Sequence, residues 1–205
     1  MFTIARAVEN ETVISKSRFL CHLHRIDGED EARAIIEDHR KEHWNANHNC
    51  TAFVAADGLT ARSSDDGEPS GTAGVPMLEA LRGRGLTNVL AIVTRHFGGV
   101  KLGAGGLVRA YGGAVTAALD RAELLEIVHW PRLRATVDYD HAGPLEALLR
   151  SREEVLVSDV DYGSQVALTL AAEDIAALRD LVNQSTAGAA NLEEADPVRL
   201  ERPVS

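Results

Sequence analysis

The residues best suited to chemistry form a glycine-rich loop between an apolar run and a helical pattern. Five glycines fall between positions 98 and 106, namely Gly98, Gly99, Gly103, Gly105 and Gly106. A glycine loop that runs into a helix N-terminus presents unpaired N–H groups and the positive end of the helix dipole, which suits an anion. The spacing matches neither a dinucleotide fingerprint nor a P-loop, so the pattern does not identify the anion.

The charges around this loop support the same interpretation. No Asp or Glu occurs between Ala80 and Leu119, although the whole chain carries a net charge of −10. The same window contains Arg82, Arg84, Arg95, Lys101 and Arg109. We therefore predict an anion-binding or nucleic-acid-binding surface. Its predicted residues are Lys16, Arg18, Arg95, Lys101, Gly103, Gly105, Gly106 and Arg109. The alternative is a loop whose glycines only permit tight packing of strand and helix.

A second polar loop, Ser63–Gly74, carries the next group of reactive side chains. Its candidate residues are Asp65, Asp66, Glu68, Ser70 and Thr72. The three carboxylates suit a Mg²⁺ ion that bridges phosphates, whereas the alternative is that they are ordinary turn residues. Neither hydroxyl lies in the glycine-flanked elbow of a serine nucleophile. If this loop lies beside the glycine loop around a pocket, the sequence favours an enzyme; a flat cationic face favours RNA binding.

Histidine and cysteine supply two weaker hypotheses. Cys50 and His48 are two residues apart, the spacing of side chains on one strand face, and could form a thiolate and its base. The alternative is a buried free cysteine beside a core histidine. Metal ligands are available in His22, His24, His39, His43, His48 and Cys50. His39 and His43 have i, i+4 spacing, but no zinc motif is present. We predict no metal, no cofactor and no catalytic residue.

The pattern of apolar residues predicts the elements that position these loops. Residues 88–93 form a buried strand, and the glycine loop leads into a helix that ends near 122. Before them we predict strands at 12–26, 50–56 and 61–64, a turn at 57–58, and helices at 32–43 and 75–81. A strand at 124–128 follows, and Trp130-Pro131 begins a new unit. That unit reads as β-α-β-β-α-β, the order of a ferredoxin-like domain.

Composition sets outer limits on function. The chain has 205 residues, enough for one large or two small domains. We see no apolar run long enough to span a bilayer and no signal peptide, and two cysteines are too few for a disulfide framework. A cytoplasmic protein without membrane association is expected. Residues 1–130 carry a net charge of −3 and residues 131–205 a net charge of −7. This acidity argues against non-specific nucleic-acid binding over the whole surface.

The sequence resembles the bacterial YigZ branch of the IMPACT family, formerly an uncharacterised protein family. The matching motifs are residues 16–20, 48–50, 64–74 and, most specifically, 95–99 continuing through 102–107 and 110–111. His96 departs from the aromatic residue that members often have there. The resemblance implies an α+β protein. Its first domain, residues 1–130, would be similar to domain 2 of ribosomal protein S5, and its second, residues 131–205, to the ferredoxin-like domain V of elongation factor G.

The resemblance also implies a role, since eukaryotic members are translation regulators that act through a protein partner. The leading hypothesis is therefore a non-enzymatic regulator of translation that binds RNA or a ribosomal surface through the cationic glycine loop. A second hypothesis is a phosphate-handling enzyme that uses the glycine loop with Asp65, Asp66 or Glu68. A third is a protein-interaction module whose acidic C-terminal domain docks a basic partner, which could be a regulatory protein. The sequence does not indicate an oligomeric state.

Overall fold

The chain divides into two compact units. The structure, a computed structural model, describes residues 1–204, with the backbone alone at position 57. The first unit comprises Met1–Ile127 and the residues after Glu201, and the second comprises Val128–Glu201. Within the described residues, no helix is both long enough and apolar enough to cross a lipid bilayer.

The first unit is built on a five-stranded antiparallel sheet. Its elements are β1 (Phe2–Ile4), β2 (Val8–Ile14), β3 (Ser17–Arg25), α1 (Glu29–Glu42), β4 (His48–Ala55), β5 (Thr60–Ser64), α2 (Gly74–Gly83), β6 (Val89–His96) and α3 (Gly103–Leu119). The strand order is β2-β3-β6-β4-β5, with antiparallel pairing at every step. The strand that carries Arg95 therefore lies at the centre, and both loops of interest leave its neighbourhood.

The central strand β6 is covered on both faces, as its continuous apolar run predicts. Val89, Ala91 and Val93 belong to the core that α2 and α3 complete. Leu90 and Ile92 face the other way, into a smaller core that includes Ala32 of α1 and Phe53 of β4. Successive strand residues point to opposite faces of a sheet, so one apolar strand serves both cores.

The predicted strand at 12–26 is instead a hairpin of β2 and β3. Val8 pairs with Leu23 and Ile14 with Ser17, so the chain reverses at residues 15 and 16. Ser15 and Lys16 both have positive φ, 48° and 67°. Such turns usually contain Asn-Gly or Asp-Gly, and their absence hid the reversal.

The second unit contains four strands and two helices. Its elements are β7 (Leu124–Val137, which begins in the first unit), α4 (Tyr139–Arg150), β8 (Val155–Tyr162), β9 (Val166–Ala172), α5 (Ile175–Ser185) and β10 (Asn191–Pro203). Its strands follow the order β10-β7-β9-β8. Asp174 caps α5 by accepting hydrogen bonds from the backbone N–H groups of Ala176 and Ala177. Leu133, Leu168 and Leu178 are buried in its core.

Two predicted breaks in the chain have other structures. The predicted strand at 124–128 and the first strand of the predicted second unit are one strand, β7, which continues through Trp130-Pro131. Pro131 lies between the residues paired with β1 and those paired with β9, so its missing N–H interrupts neither ladder. The predicted turn at 57–58 is part of a short 3₁₀ helix, Ala56–Gly58, that leads into β5.

Candidate functional site

The two loops singled out from the sequence meet at one cavity. It has a volume of about 300 Å³. The second loop contributes Glu68 and Pro69; β6 and the glycine-rich stretch contribute Arg95, Phe97, Lys101, Leu102, Gly103, Ala104 and Leu107. Of the predicted anion-binding residues, the structure therefore brings Arg95, Lys101 and Gly103 together, and it adds Glu68 from the second loop.

A buried carboxylate forms one wall of this cavity. Oε1 of Glu68 accepts hydrogen bonds from Nη1 of Arg95 at 2.6 Å and from the hydroxyl of Tyr111 at 2.7 Å. The other oxygen, Oε2, lies 3.8 Å from Nε2 of His48. Burial raises the pKa of the Tyr111 phenol, so the hydroxyl remains a proton donor at neutral pH. These charge-assisted hydrogen bonds hold Glu68 of the second loop against Arg95 of β6 and Tyr111 of α3.

Arg95 differs from its predicted role as a surface cation. The residue is 6% exposed, and its guanidinium lies 5.4 Å from the ring centroids of Phe19 and Phe97. Its charge is balanced by Glu68 inside the protein. The reason is position: Arg95 lies on the central strand, opposite Phe19 on one side and His48 on the other. The structure gives Arg95 a positioning role beneath the cavity.

The carboxylates of the second loop are committed to the protein itself. Asp65 accepts hydrogen bonds from the backbone N–H groups of Gly71, Ala73 and Gly74, at 2.8–3.0 Å. Burial opposes its ionisation, but these three donors outweigh that effect and lower the pKa of the carboxyl. Asp66 accepts from the backbone of Asn49 and from Arg40.

Both carboxylates of the pair therefore shape the loop, and neither is left as an open Mg²⁺ ligand. The hydroxyl of Thr72 donates to the carbonyl of Pro69 at 2.6 Å and adds to the same structure. Ser70 is exposed on the loop.

Cys50 and His48 also support the second loop. The Cys50 thiol donates to the carbonyl of Asp65 at 3.0 Å, and burial raises its pKa to about 12. Nδ1 of His48 lies 2.9 Å from the carbonyl of Asp66 and must be the protonated nitrogen of that contact. A thiol with such a pKa is not a nucleophile at neutral pH, so the pair lacks the thiolate that catalysis requires.

Three of the predicted cations are exposed around the glycine loop. These are Lys16, Lys101 and Arg109. Gly98 brings the first of them close, because a Cβ at Gly98 would lie 2.0 Å from the Lys16 carbonyl carbon. Nη1 of Arg109 lies 3.6 Å from the Cβ position of Gly105, so this side chain folds back along the first turn of α3. Arg18 is instead held by Glu11, at 2.8 Å.

The first turn of α3 has the features of an anion site. It contains no acidic residue, and Leu102, the residue that precedes the helix, makes no side-chain cap. Gly103, with φ of +68°, and Gly105 are exposed, whereas Gly106 is half-buried. Bare N–H groups beside Lys101 and Arg109 would attract a phosphate oxygen.

A group of histidines, which the sequence left without a role, meets elsewhere in the first unit. His22 of β3 approaches His39 of α1 and His43 at the end of that helix, with one nitrogen from each within 4.8 Å of the others. The i, i+4 spacing of the helical pair was a usable signal. The missing information was which face of the sheet α1 covers.

Comparisons with known proteins identify relatives of this chain. Residues 15–119 match the model of the Impact N-terminal domain, and residues 136–189 match a domain of unknown function (DUF1949). The chain is 41% identical over 207 residues to the IMPACT family member YvyE of Bacillus subtilis (strain 168), covering all of this chain and 95% of that protein. It is 40% identical over 161 residues to the IMPACT family member YigZ of Escherichia coli (strain K12), covering 77% and 78%.

A solved structure supports the same relationship. The crystal structure of a hypothetical protein matches with a TM-score of 0.65 and 35% sequence identity, over 95% of this chain and 97% of that one. Together with the family models, this similarity confirms the resemblance drawn from the glycine-rich motif.

Proposed function

Because the chain belongs to the IMPACT family, we propose that it is a translation-associated regulatory protein that binds RNA or a ribosomal surface. The observation that carries the proposal is the exposed first turn of α3, which presents uncapped N–H groups between Lys101 and Arg109. Translation takes place in the cytoplasm, and the proposal places the protein there. The role of eukaryotic family members as translation regulators favours this function over an unrelated one.

The charge distribution defines the proposed contact surface more narrowly than the sequence did. Lys16, Lys101 and Arg109 are its exposed cations, and the amides of Gly103 and Gly105 lie between them. Arg95 acts beneath this surface through Glu68. The chain has a net charge of −10, so most of its surface should repel nucleic acid. A small cationic surface then determines where nucleic acid can make contact.

The proposal predicts a specific salt dependence. Each phosphate contact contributes about 0.7 to 0.9 to the slope of log affinity against log salt. The double variant Lys101→Ala, Arg109→Ala should therefore bind isolated small ribosomal subunits and naked ribosomal RNA more weakly, with a slope shallower by about 1.5. The matched control is Arg33→Ala, Lys41→Ala, which removes the same charge from exposed positions on α1.

The two outcomes are easily separated. The control should keep the wild-type slope, because Arg33 and Lys41 pair with acidic residues of their own helix. Equal slopes for the wild type and the Lys101, Arg109 variant would refute binding through the glycine loop. Binding to subunits but not to naked RNA would assign the contact to a ribosomal protein.

A phosphate-handling activity is a second candidate. The two loops do share a cavity, of about 300 Å³, which is the arrangement expected of an enzyme. It stands second because the carboxylates of Asp65 and Asp66 already accept hydrogen bonds from the protein itself. Lys101 and the first residues of α3 line the cavity, so a small phosphorylated molecule fits the same chemistry. A thermal-shift screen of nucleotides and sugar phosphates, with and without Mg²⁺, tests this function. A ligand that binds only the native state raises the melting temperature, and the absence of any shift at millimolar ligand rejects it.

We also propose the finer fold assignment, with a domain boundary near residue 130. The order β7-α4-β8-β9-α5-β10 and the sheet order β10-β7-β9-β8 support a ferredoxin-like second domain, similar to domain V of elongation factor G. The antiparallel sheet with α1 on one face and α3 on the other supports an S5 domain 2-like first domain. A crystal structure compared with both folds tests the assignment.

A further inference from the structure

The histidine cluster between β3 and α1 has the composition of a metal centre. His22 lies on the sheet, and His39 and His43 lie one helical turn apart above it. The His39 and His43 rings are 4.2 Å apart, and the His22 ring is 4.8 Å from that of His39. Imidazole is a ligand for zinc, copper, nickel and iron, and three histidines with an open position are a known zinc arrangement.

The hydrogen bonds around His39 determine which of its two ring nitrogens keeps a free lone pair. Nε2 of His39 lies 2.8 Å from the Thr94 hydroxyl, and that hydroxyl donates its own proton to Oδ1 of Asn49 at 2.7 Å. The hydroxyl must therefore accept from His39, so Nε2 carries the proton and Nδ1 keeps the free lone pair. This is how protein groups orient a histidine that binds a metal.

His22 is oriented by a carboxylate. Its Nδ1 lies 3.3 Å from Oε1 of Glu9, so Nδ1 is the nitrogen that donates. Its Nε2 is buried and, among the described residues, makes no hydrogen bond. An unpaired buried acceptor is unfavourable unless something else fills the position. A carboxylate–histidine pair with its second nitrogen free is the common outer arrangement of a zinc ligand.

We infer that His22, His39 and His43 bind a divalent late transition metal, with Zn²⁺ as the natural probe. The ligand nitrogens lie within 4.8 Å of one another, and a tetrahedral zinc site holds them about 3.3 Å apart. Metal binding would therefore draw the three nitrogens closer together by rotation of the rings. His43 is half-buried, which gives the ion a path from solvent and leaves a position for water.

The competing explanation is a group of core histidines that only packs against its neighbours. Packing accounts for the stacked rings, since such contacts need no ion. It does not account for the unpaired Nε2 of His22. Nor does it account for the contacts with Glu9 and Thr94, which each occupy one nitrogen of His22 or His39 and leave the lone pair on the other nitrogen free. Those features favour metal binding.

Calorimetric titration with Zn²⁺ tests the site, using untagged full-length protein treated with a chelator. The wild type should bind one Zn²⁺ per chain. His43→Gln and His22→Gln remove a ligand and should weaken binding by more than about 100-fold, the upper effect of an outer partner. Glu9→Gln should weaken it by about 10- to 100-fold. His129→Gln, an exposed histidine of the second unit, is the matched control and should change nothing.

Two further measurements keep the test independent of folding. The Glu9 side chain is 78% exposed, so Glu9→Gln leaves the packing intact. Co²⁺ bound to the wild type should show the intense visible absorption of a tetrahedral site, which hydrated Co²⁺ lacks. Equal Zn²⁺ affinity of the wild type and His43→Gln, or a Co²⁺ spectrum identical to the free ion, would overturn the inference.

Discussion

Replacing Glu68 with glutamine should destabilise the first unit by about 3 kcal/mol. The side chains of Glu68 and Arg95 are only 4% and 7% exposed, so glutamine would leave a buried guanidinium without a counter-charge. Breaking a buried ion pair by removing one partner costs about 3–5 kcal/mol. We expect the lower end of that range, because the glutamine carbonyl can still accept a hydrogen bond from Tyr111 or from Arg95.

A double-mutant cycle shows whether the effect belongs to the pair. Arg95→Met alone should also destabilise, since it leaves the Glu68 carboxylate buried and unpaired. The combined variant Glu68→Gln, Arg95→Met removes both charges and should recover most of the loss. Glu29→Gln is the control, because its ion pair with Arg33 is exposed and is expected to contribute less than about 0.5 kcal/mol.

The assay must report the first unit alone. Urea unfolding does so when it is monitored by hydrogen exchange at the peptide that contains β6, since this strand lies at the centre of the sheet. A loss below about 1 kcal/mol for Glu68→Gln, similar to that for Glu29→Gln, would contradict the buried-pair reasoning. So would a double variant whose loss equals the sum of the two single losses, because that result means no coupling.

Three other expectations concern the same unit. Both Cys21 and Cys50 should resist a thiol reagent in the native protein and react fully in urea, because burial raises the pKa of each thiol; rapid labelling would contradict this. Gly98→Ala should destabilise the protein by about 2 kcal/mol or more in the same urea assay, because its Cβ would lie 2.0 Å from the Lys16 carbonyl carbon in the β2–β3 turn. Gly113→Ala is the control and should be neutral or stabilising, since a Cβ there would lie in open space within α3. Because the pKa of Asp65 is lowered by folding, its contribution is full above its ordinary pKa of 3.8 and is lost as the pH falls below it. Acid titration of stability should therefore show the wild type and Asp65→Asn converging below pH 3.8, and a constant difference would refute the linkage.

Local patterns predicted the elements around the glycine loop well, because each signal there is contained within a few residues. The apolar run of β6 and the helical spacing of α3 need no distant partner to be recognised. The β2–β3 hairpin was missed since its turn uses Ser15 and Lys16 in place of glycine or asparagine. The continuity of β7 was missed because Pro131 looked like a break, and only the strand pairing shows that neither the β1 ladder nor the β9 ladder needs its N–H.

The candidate sites depended on information that no local pattern contains. Arg95 looked like a surface cation because the acid that neutralises it, Glu68, lies 27 residues earlier in the chain. The carboxylate of Asp65 looked free because its donors are backbone groups of its own loop. That of Asp66 looked free because its donors, the backbone of Asn49 and the side chain of Arg40, lie in β4 and α1. Tertiary packing decides such partnerships, and residue type alone does not reveal them.

At Lys16, in the β2–β3 turn, the requirements of folding and of the proposed binding surface oppose each other. Lys16 adopts a φ of 67°, a backbone conformation that an L-residue with a side chain enters only at an energetic disadvantage of about 1–2 kcal/mol. Glycine would adopt this conformation without strain and so raise the free energy of unfolding, yet it would remove a cation from the proposed contact surface. Lysine at this turn therefore adds a cation to the proposed contact surface at the expense of backbone strain.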